Sequence, residues 1–218
     1  MQSRSRRRIK TFIGVASVVV VATLLTFFLR PDNGPPDFYG KAMMAEAFDR
    51  AESPVRGNEQ GQVELTLFCD YTSLTCRSLQ PILLELLDQQ PAVKWLHKDY
   101  PYKGKISRLA AESARCAGKQ NKFWEFHDLL YQMQADWIDN NNNLPFLRGL
   151  ANDLQLNLDE FNVCLDFGAV KDAVNQDLKD ARKAGIYTAP TILINNTLIE
   201  YPYDMERLER AVRYELSR

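Results

Sequence analysis

Four cysteines, two histidines and the serine at position 73 bound the chemistry open to this chain. Cys69 and Cys76 flank the segment Asp70-Tyr71-Thr72-Ser73-Leu74-Thr75, while Cys116 and Cys164 lie far downstream. Four cysteines in 218 residues are too few for a disulfide scaffold and enough for a redox or bridged domain. His97 and His127 have no Cys or His partner at ligand spacing. They read as a strand histidine and a packed helix histidine, and neither a metal nor another cofactor is implied.

The elements that must position these residues follow from hydrophobic periodicity. Val63 to Cys69 alternates and then turns fully apolar, which predicts a strand entering a buried sheet position. Thr75 to Gln89 places Leu79, Ile82, Leu83, Leu86 and Leu87 at helical spacing, with Pro81 inside to kink the helix. Val93 to His97 reads as a second strand. From Ser107 to about Ala184 only helical patterns occur, broken at Asp139-Asn140-Asn141-Asn142-Asn143 and at Asn157. Thr191 to Ile194 and Thr197 to Ile199 flank Asn195-Asn196, a two-residue hairpin turn. Tyr203 to Leu216 closes the chain as an amphipathic helix. The order is β-α-β, a helical block, then β-β-α. Upstream, Asp37 to Glu52 predicts a short helix, ended by Ser53-Pro54.

Charge is divided unevenly. Arg4, Arg6, Arg7, Arg8, Lys10 and Arg30 are the only ionised side chains in residues 1–30. With those six of the 27 bases set aside, 21 remain against 28 acids, so the rest carries −7. An acidic domain leaves phosphates unneutralised, which argues against a nucleic-acid partner. Residues 11–29 run without a charge, rich in Val, Leu and Phe. As a helix they would span roughly 28 Å, close to a bilayer core of ~30 Å. The Arg cluster before them sets the first ten residues in the cytoplasm and delivers the domain to the other side. A cleaved signal peptide is the alternative, but the apolar run exceeds the usual signal core and a cut after Ala22 would leave apolar residues on the new terminus. The expected organisation is a basic tip over 1–10, a signal anchor over 11–29, a linker with a short helix over 30–52, and one domain over 53–218.

Four ordered segments then carry a specific resemblance. Phe68-Cys69-Asp70-Tyr71-Thr72-Ser73-Leu74-Thr75-Cys76 resembles the active-site segment of DsbA-like disulfide oxidoreductases. Pro81 stands where thioredoxins carry a helix-kinking proline. Ala110 to Ala117 with Phe123 to Asp128 resembles that family's helical insertion, and Gly185-Ile186-Tyr187-Thr188-Ala189-Pro190-Thr191 its cis-proline loop. The resemblance implies an α/β thioredoxin fold with an all-helical insertion at about 105–184, preceded here by one transmembrane helix. It further implies a cis peptide between Ala189 and Pro190, a structural disulfide between Cys116 and Cys164, and a periplasmic domain on the inner membrane of a bacterium. Its partners would be extracytoplasmic proteins or peptides, held in a groove lined by Leu74, Thr75, Ala189 and Pro190.

Two positions depart from the family. Its motif is Cys-x-x-Cys, and here Ser73 stands at the nucleophile position while Cys76 keeps the second. A serine has no comparable thiolate and forms no mixed disulfide. Six residues before the nucleophile many relatives carry a buried proton-shuttling acid, where this chain has Leu67. Ordinary dithiol turnover is therefore not expected. Cys76 reads either as reactive or as a buried inert thiol, and Cys69 either as a core residue or as a replacement disulfide partner. Asp70 is expected to cap the active-site helix, with tuning of it as the alternative. Three functions stay open: altered thiol-disulfide chemistry through Cys76, peptide binding without chemistry, or glutathione binding at Ser73 in the manner of kappa-type transferases.

Overall fold

The computed structural model describes residues 35–42, 48, 51–138 and 143–218. The segment 11–29 lies outside the described residues, and among those described no helix is long and apolar enough to cross a membrane.

The elements are β1 (Tyr39–Ala42), β2 (Val55–Gly57), β3 (Val63–Cys69), α1 (Leu74–Gln89), β4 (Val93–Asp99), α2 (Lys105–Gly118), α3 (Phe123–Gln132), α4 (Gln134–Ile138), α5 (Asn143–Asp153), α6 (Leu158–Asp166), α7 (Lys171–Ala184), β5 (Thr191–Ile194), β6 (Thr197–Ile199) and α8 (Met205–Leu216). The strands form one sheet in the order β1-β6-β5-β3-β4-β2. β3 and β4 are parallel, with α1 as the crossover, and β5 runs antiparallel to β3. The result is a thioredoxin-type fold, with α2 to α7 inserted between β4 and β5.

Strand periodicity divides the core between the two faces of the sheet. Leu65, Leu67, Cys69 and Ile192 point to the larger core, with Leu79, Leu83, Leu208 and Val212 from α1 and α8. Phe68 and Leu193 point to the other face, against Ala181 and Ala184 of α7. There an ionic seam ties the insertion to β4. Lys98 Nζ, fully buried, donates to Asp177 at 2.9 Å and Asp180 at 3.0 Å, and Arg115 of α2 pairs with Asp99 and Asp177. Burial raises the Asp177 carboxyl; it pushes Asp99 up as well, but Arg115 and His97 together outweigh it and hold that carboxyl below its ordinary range.

Several elements differ from the sequence reading. Tyr39–Ala42 is a strand, in place of the first part of the helix expected over Asp37 to Glu52, and residues 43–47, 49 and 50 lie outside the described residues. The edge of β6 supplies the reason. It offers unpaired backbone groups to Tyr39–Ala42, and Tyr39 Oη adds a bond to the carbonyl of Ala211 in α8. β2 was not read from the sequence, because three residues carry too short a pattern. β4 continues past His97 to Asp99, since Lys98 and Asp99 are buried by their ion pairs. The Asn195-Asn196 turn is as expected, both residues having positive φ (43° and 73°), the signature of a two-residue hairpin.

Candidate functional site

The site forms where β3 ends and α1 begins. Ser73 is the N-cap of α1, with extended backbone and its Oγ accepting the N–H of Cys76 at 3.3 Å. That role buries it: 4% of Ser73 is exposed, whereas Leu74, one residue on, is 70% exposed. Thr75 is exposed and Cys76 fully buried.

Cys76 is joined to Cys69 in a disulfide that links the last residue of β3 to the first turn of α1, with Cα atoms 5.9 Å apart. No described cysteine is free. Leu67 is also fully buried, so the site has no proton-carrying side chain at that position. Cys116 of α2 and Cys164 of α6 form the second disulfide.

Asp70 does not cap α1; the expectation that it would is corrected. Its Oδ1 accepts from the N–H and hydroxyl of Thr72, and its Oδ2 from the N–H groups of Tyr102 and Lys103. A side chain turned back to close its own loop cannot also reach the start of the helix, and Ser73, nearer, takes that place.

The peptide bond between Ala189 and Pro190 is cis. Register brings this loop to the disulfide: Phe68 pairs with Thr191, so Pro190 comes opposite Cys69 at the end of β3. Ala189 and Pro190 are half-buried, and Tyr187 on the same loop is exposed. The structure thus assembles Cys69, Ser73, Cys76 and Pro190 at one end of the sheet. Cys116 and Cys164 are held apart in the insertion.

Three residues that the sequence reading did not place at the site hold it from behind. Gln134 of α4, fully buried, donates from Nε2 to the carbonyls of Tyr71 (2.7 Å) and Ser73 (3.1 Å). His127 of α3 lies between Tyr71 Oη and Gln80 Oε1, at 2.9 Å from each, and Gln80 Nε2 donates to the carbonyl of Cys76 at 2.8 Å. Burial drives His127 well below its ordinary range, and the neighbouring His97 and Arg56 push it the same way. Burial holds the Tyr71 hydroxyl well above its own. With Gln80 Nε2 given to the Cys76 carbonyl, its Oε1 is left to accept from His127 Nε2–H, and Nδ1 of the neutral imidazole then accepts from the Tyr71 hydroxyl. His97, in β4, bonds Asp99. The only sequence signal for Gln80 and Gln134 was a polar residue beside apolar ones.

A thioredoxin fold with a helical insertion, a cis-proline loop and a cysteine in the first turn of α1 define a class, and comparison with known proteins makes it specific. The chain belongs to the thioredoxin family, whose profile matches residues 49–213, in its DsbA-like disulfide oxidoreductase branch. Probable disulfide bond formation protein D of Bacillus cereus is 23% identical over 230 residues, covering all of both chains. The crystal structure of oxidised BdbD from Bacillus subtilis superposes with a TM-score of 0.71 at 25% identity, over 78% of this chain and 96% of that one. The Na(+)/H(+) antiporter NhaA 3 of Salinispora tropica is 30% identical over 160 residues, 72% of this chain. The chain spans 24% of that antiporter's length and 32% of that of NhaA 1 of Salinispora arenicola.

Proposed function

We propose that the domain is an extracytoplasmic thiol-disulfide protein of altered chemistry, in which the bond between Cys69 and Cys76 replaces the Cys-x-x-Cys pair. The observation that carries this reading is the bond itself: Cys76 is paired with Cys69, and Ser73, at the nucleophile position, serves as the helix cap. Both sulfurs are buried, so exchange with a partner is slow. Leu74, Thr75, Ala189 and Pro190 form a groove that holds extended polypeptide beside the bond, and exposed Leu74 and Tyr187 give it apolar grip. Residues 11–29 anchor the domain, over 53–218, to the inner membrane of a bacterium with the groove facing the periplasm; a relative named for disulfide bond formation supports only that the domain works where disulfides form. The Cys116–Cys164 bridge is structural.

The test is an insulin-reduction or peptide-oxidation assay. The wild type is expected to run near the uncatalysed rate, and Ser73→Cys at least tenfold faster, because a thiol at the helix start gains the amide dipoles and can take Cys76 from Cys69 by exchange, leaving Cys69 as a thiol. A wild-type rate equal to that of a Cys-x-x-Cys relative would sink the reading.

Peptide binding without chemistry is the second reading, favoured by the burial of both sulfurs beside an exposed Leu74. Under it, Cys69→Ser with Cys76→Ser leaves peptide affinity unchanged and no exchange is detected in the wild type. Glutathione binding at Ser73 is disfavoured, because its oxygen already caps α1 out of solvent.

A further inference from the structure

An exchange reaction at a disulfide has to choose between two sulfurs. The attacking thiolate bonds to one and expels the other, and the sulfur better stabilised as a thiolate leaves faster. Burial cannot make the choice here, since Cys69 is 1% exposed and Cys76 0%. What faces each sulfur does. Cys76 is the third residue of α1, within the first turn behind the Ser73 cap, where the free amides of the helix start favour negative charge. The backbone N–H of Asp70 also donates to Cys76 Sγ at 3.4 Å. Cys69 ends a strand, its carbonyl taken by the N–H of Tyr100, and its neighbour on the β5 side is Pro190, which has no N–H to give.

We propose that exchange at this bond is directional: a partner's thiolate attacks Cys69 Sγ, and Cys76 leaves as the thiolate that the Asp70 N–H and the start of α1 stabilise. The inference rests on the altered-chemistry reading above and assigns the two sulfurs within it. The attack breaks the Cys69–Cys76 bond and forms a mixed disulfide between partner and Cys69. A second thiolate of the same partner dithiol then attacks the partner's own sulfur in that mixed disulfide and expels Cys69. Two electrons have passed from the dithiol to the pair. Of the two protons that the dithiol gives up, one goes to Cys69 and the other to solvent, while Cys76 stays ionised. Cys69, outside the Ser73-x-x-Cys76 motif, is thus the catalytic sulfur that carries the partner, and Cys76 is the one that resolves in the reverse direction.

The test uses the oxidised protein and reduced glutathione. After acid quenching and alkylation of free thiols, peptide mapping should find glutathione on Cys69 and the alkyl group on Cys76, at least tenfold over the opposite assignment. An even split, or glutathione mainly on Cys76, would overturn the proposal. If glutathione does not enter the folded domain, the thiolate absorbance of Cys69→Ser and Cys76→Ser decides. The lone Cys76 is expected to ionise at least one pH unit below the lone Cys69, and equal or inverted midpoints would overturn it. Neither arm needs a polypeptide substrate, so failure of the parent reading in the insulin assay is told apart from failure here.

Discussion

The two disulfides are the same covalent bond set in opposite surroundings. Cys116 and Cys164 are 48 residues apart and join two helices of the insertion, while Cys69 and Cys76 are 7 apart and join the central strand to α1. In the chain-entropy model the long loop is worth about 4 kcal/mol and the short one about 2. The short one, however, has an N–H donor on one sulfur, a capped helix start beside it and the cis-proline loop opposite. Under the proposed function, stability falls to one bridge and chemistry to the other. The longer closes a loop in the unfolded chain, and the shorter joins the end of β3 to the first turn of α1.

The largest expected effect comes from the long bridge. Cys116→Ala with Cys164→Ala should lower the unfolding free energy by about 4 kcal/mol in urea titration, with peptide affinity unchanged. A change in affinity of the same size would break the division of roles. Removing the short bridge, by Cys69→Ala with Cys76→Ala, should cost about 2 kcal/mol and abolish the residual exchange. Loss of stability larger than that of the long bridge would invert the comparison.

A smaller effect is expected at the cap. Ser73→Ala removes the acceptor for the Cys76 N–H and should cost about 1 kcal/mol, whereas Ser73→Gly should cost only a few tenths. Equal costs would mean that the hydroxyl does something other than cap.

The pH dependence sharpens the picture of the clamp behind the site. His127 is held neutral in the fold, its proton affinity pushed well below the ordinary value of 6.5. The unfolded chain therefore binds a proton as pH falls below about 6.5 and the folded protein does not, so stability declines from neutral pH downward. His127→Gln should flatten that slope between about pH 7 and 5 in urea titrations at stepped pH. An unchanged slope would mean that another group governs it.

Much of the fold was legible because its signals are local. The strand ending at Cys69, the helix after Ser73 and the Asn195-Asn196 turn each announce themselves within a few residues. The strand Tyr39–Ala42 did not, because it exists by pairing with β6, about 160 residues away. The site divides in the same way. Ser73, Cys76 and Pro190 could be found from resemblance to the family's motifs, and the missing thiol and missing acid were visible as departures from them. Gln134 could not, since what makes it matter is a pair of carbonyls more than 60 residues upstream. Asp70 was assigned to the wrong partner for a related reason: its choice between the helix and the loop at Tyr102 depends on where β4 ends. The Cys69–Cys76 bond stayed open because residues 70–75 can separate or join the two sulfurs according to how that loop turns.

The bond between Cys69 and Cys76 is the claim on which the rest depends, and a thiol count with disulfide mapping on the purified, unreduced protein tests it directly. Denatured without reductant, the domain is expected to show no titratable thiol, and proteolytic mapping should recover Cys69 linked to Cys76 and Cys116 linked to Cys164. Two alkylated cysteines at 69 and 76 in the unreduced protein would contradict it and leave Cys76 as a solitary buried thiol behind a serine.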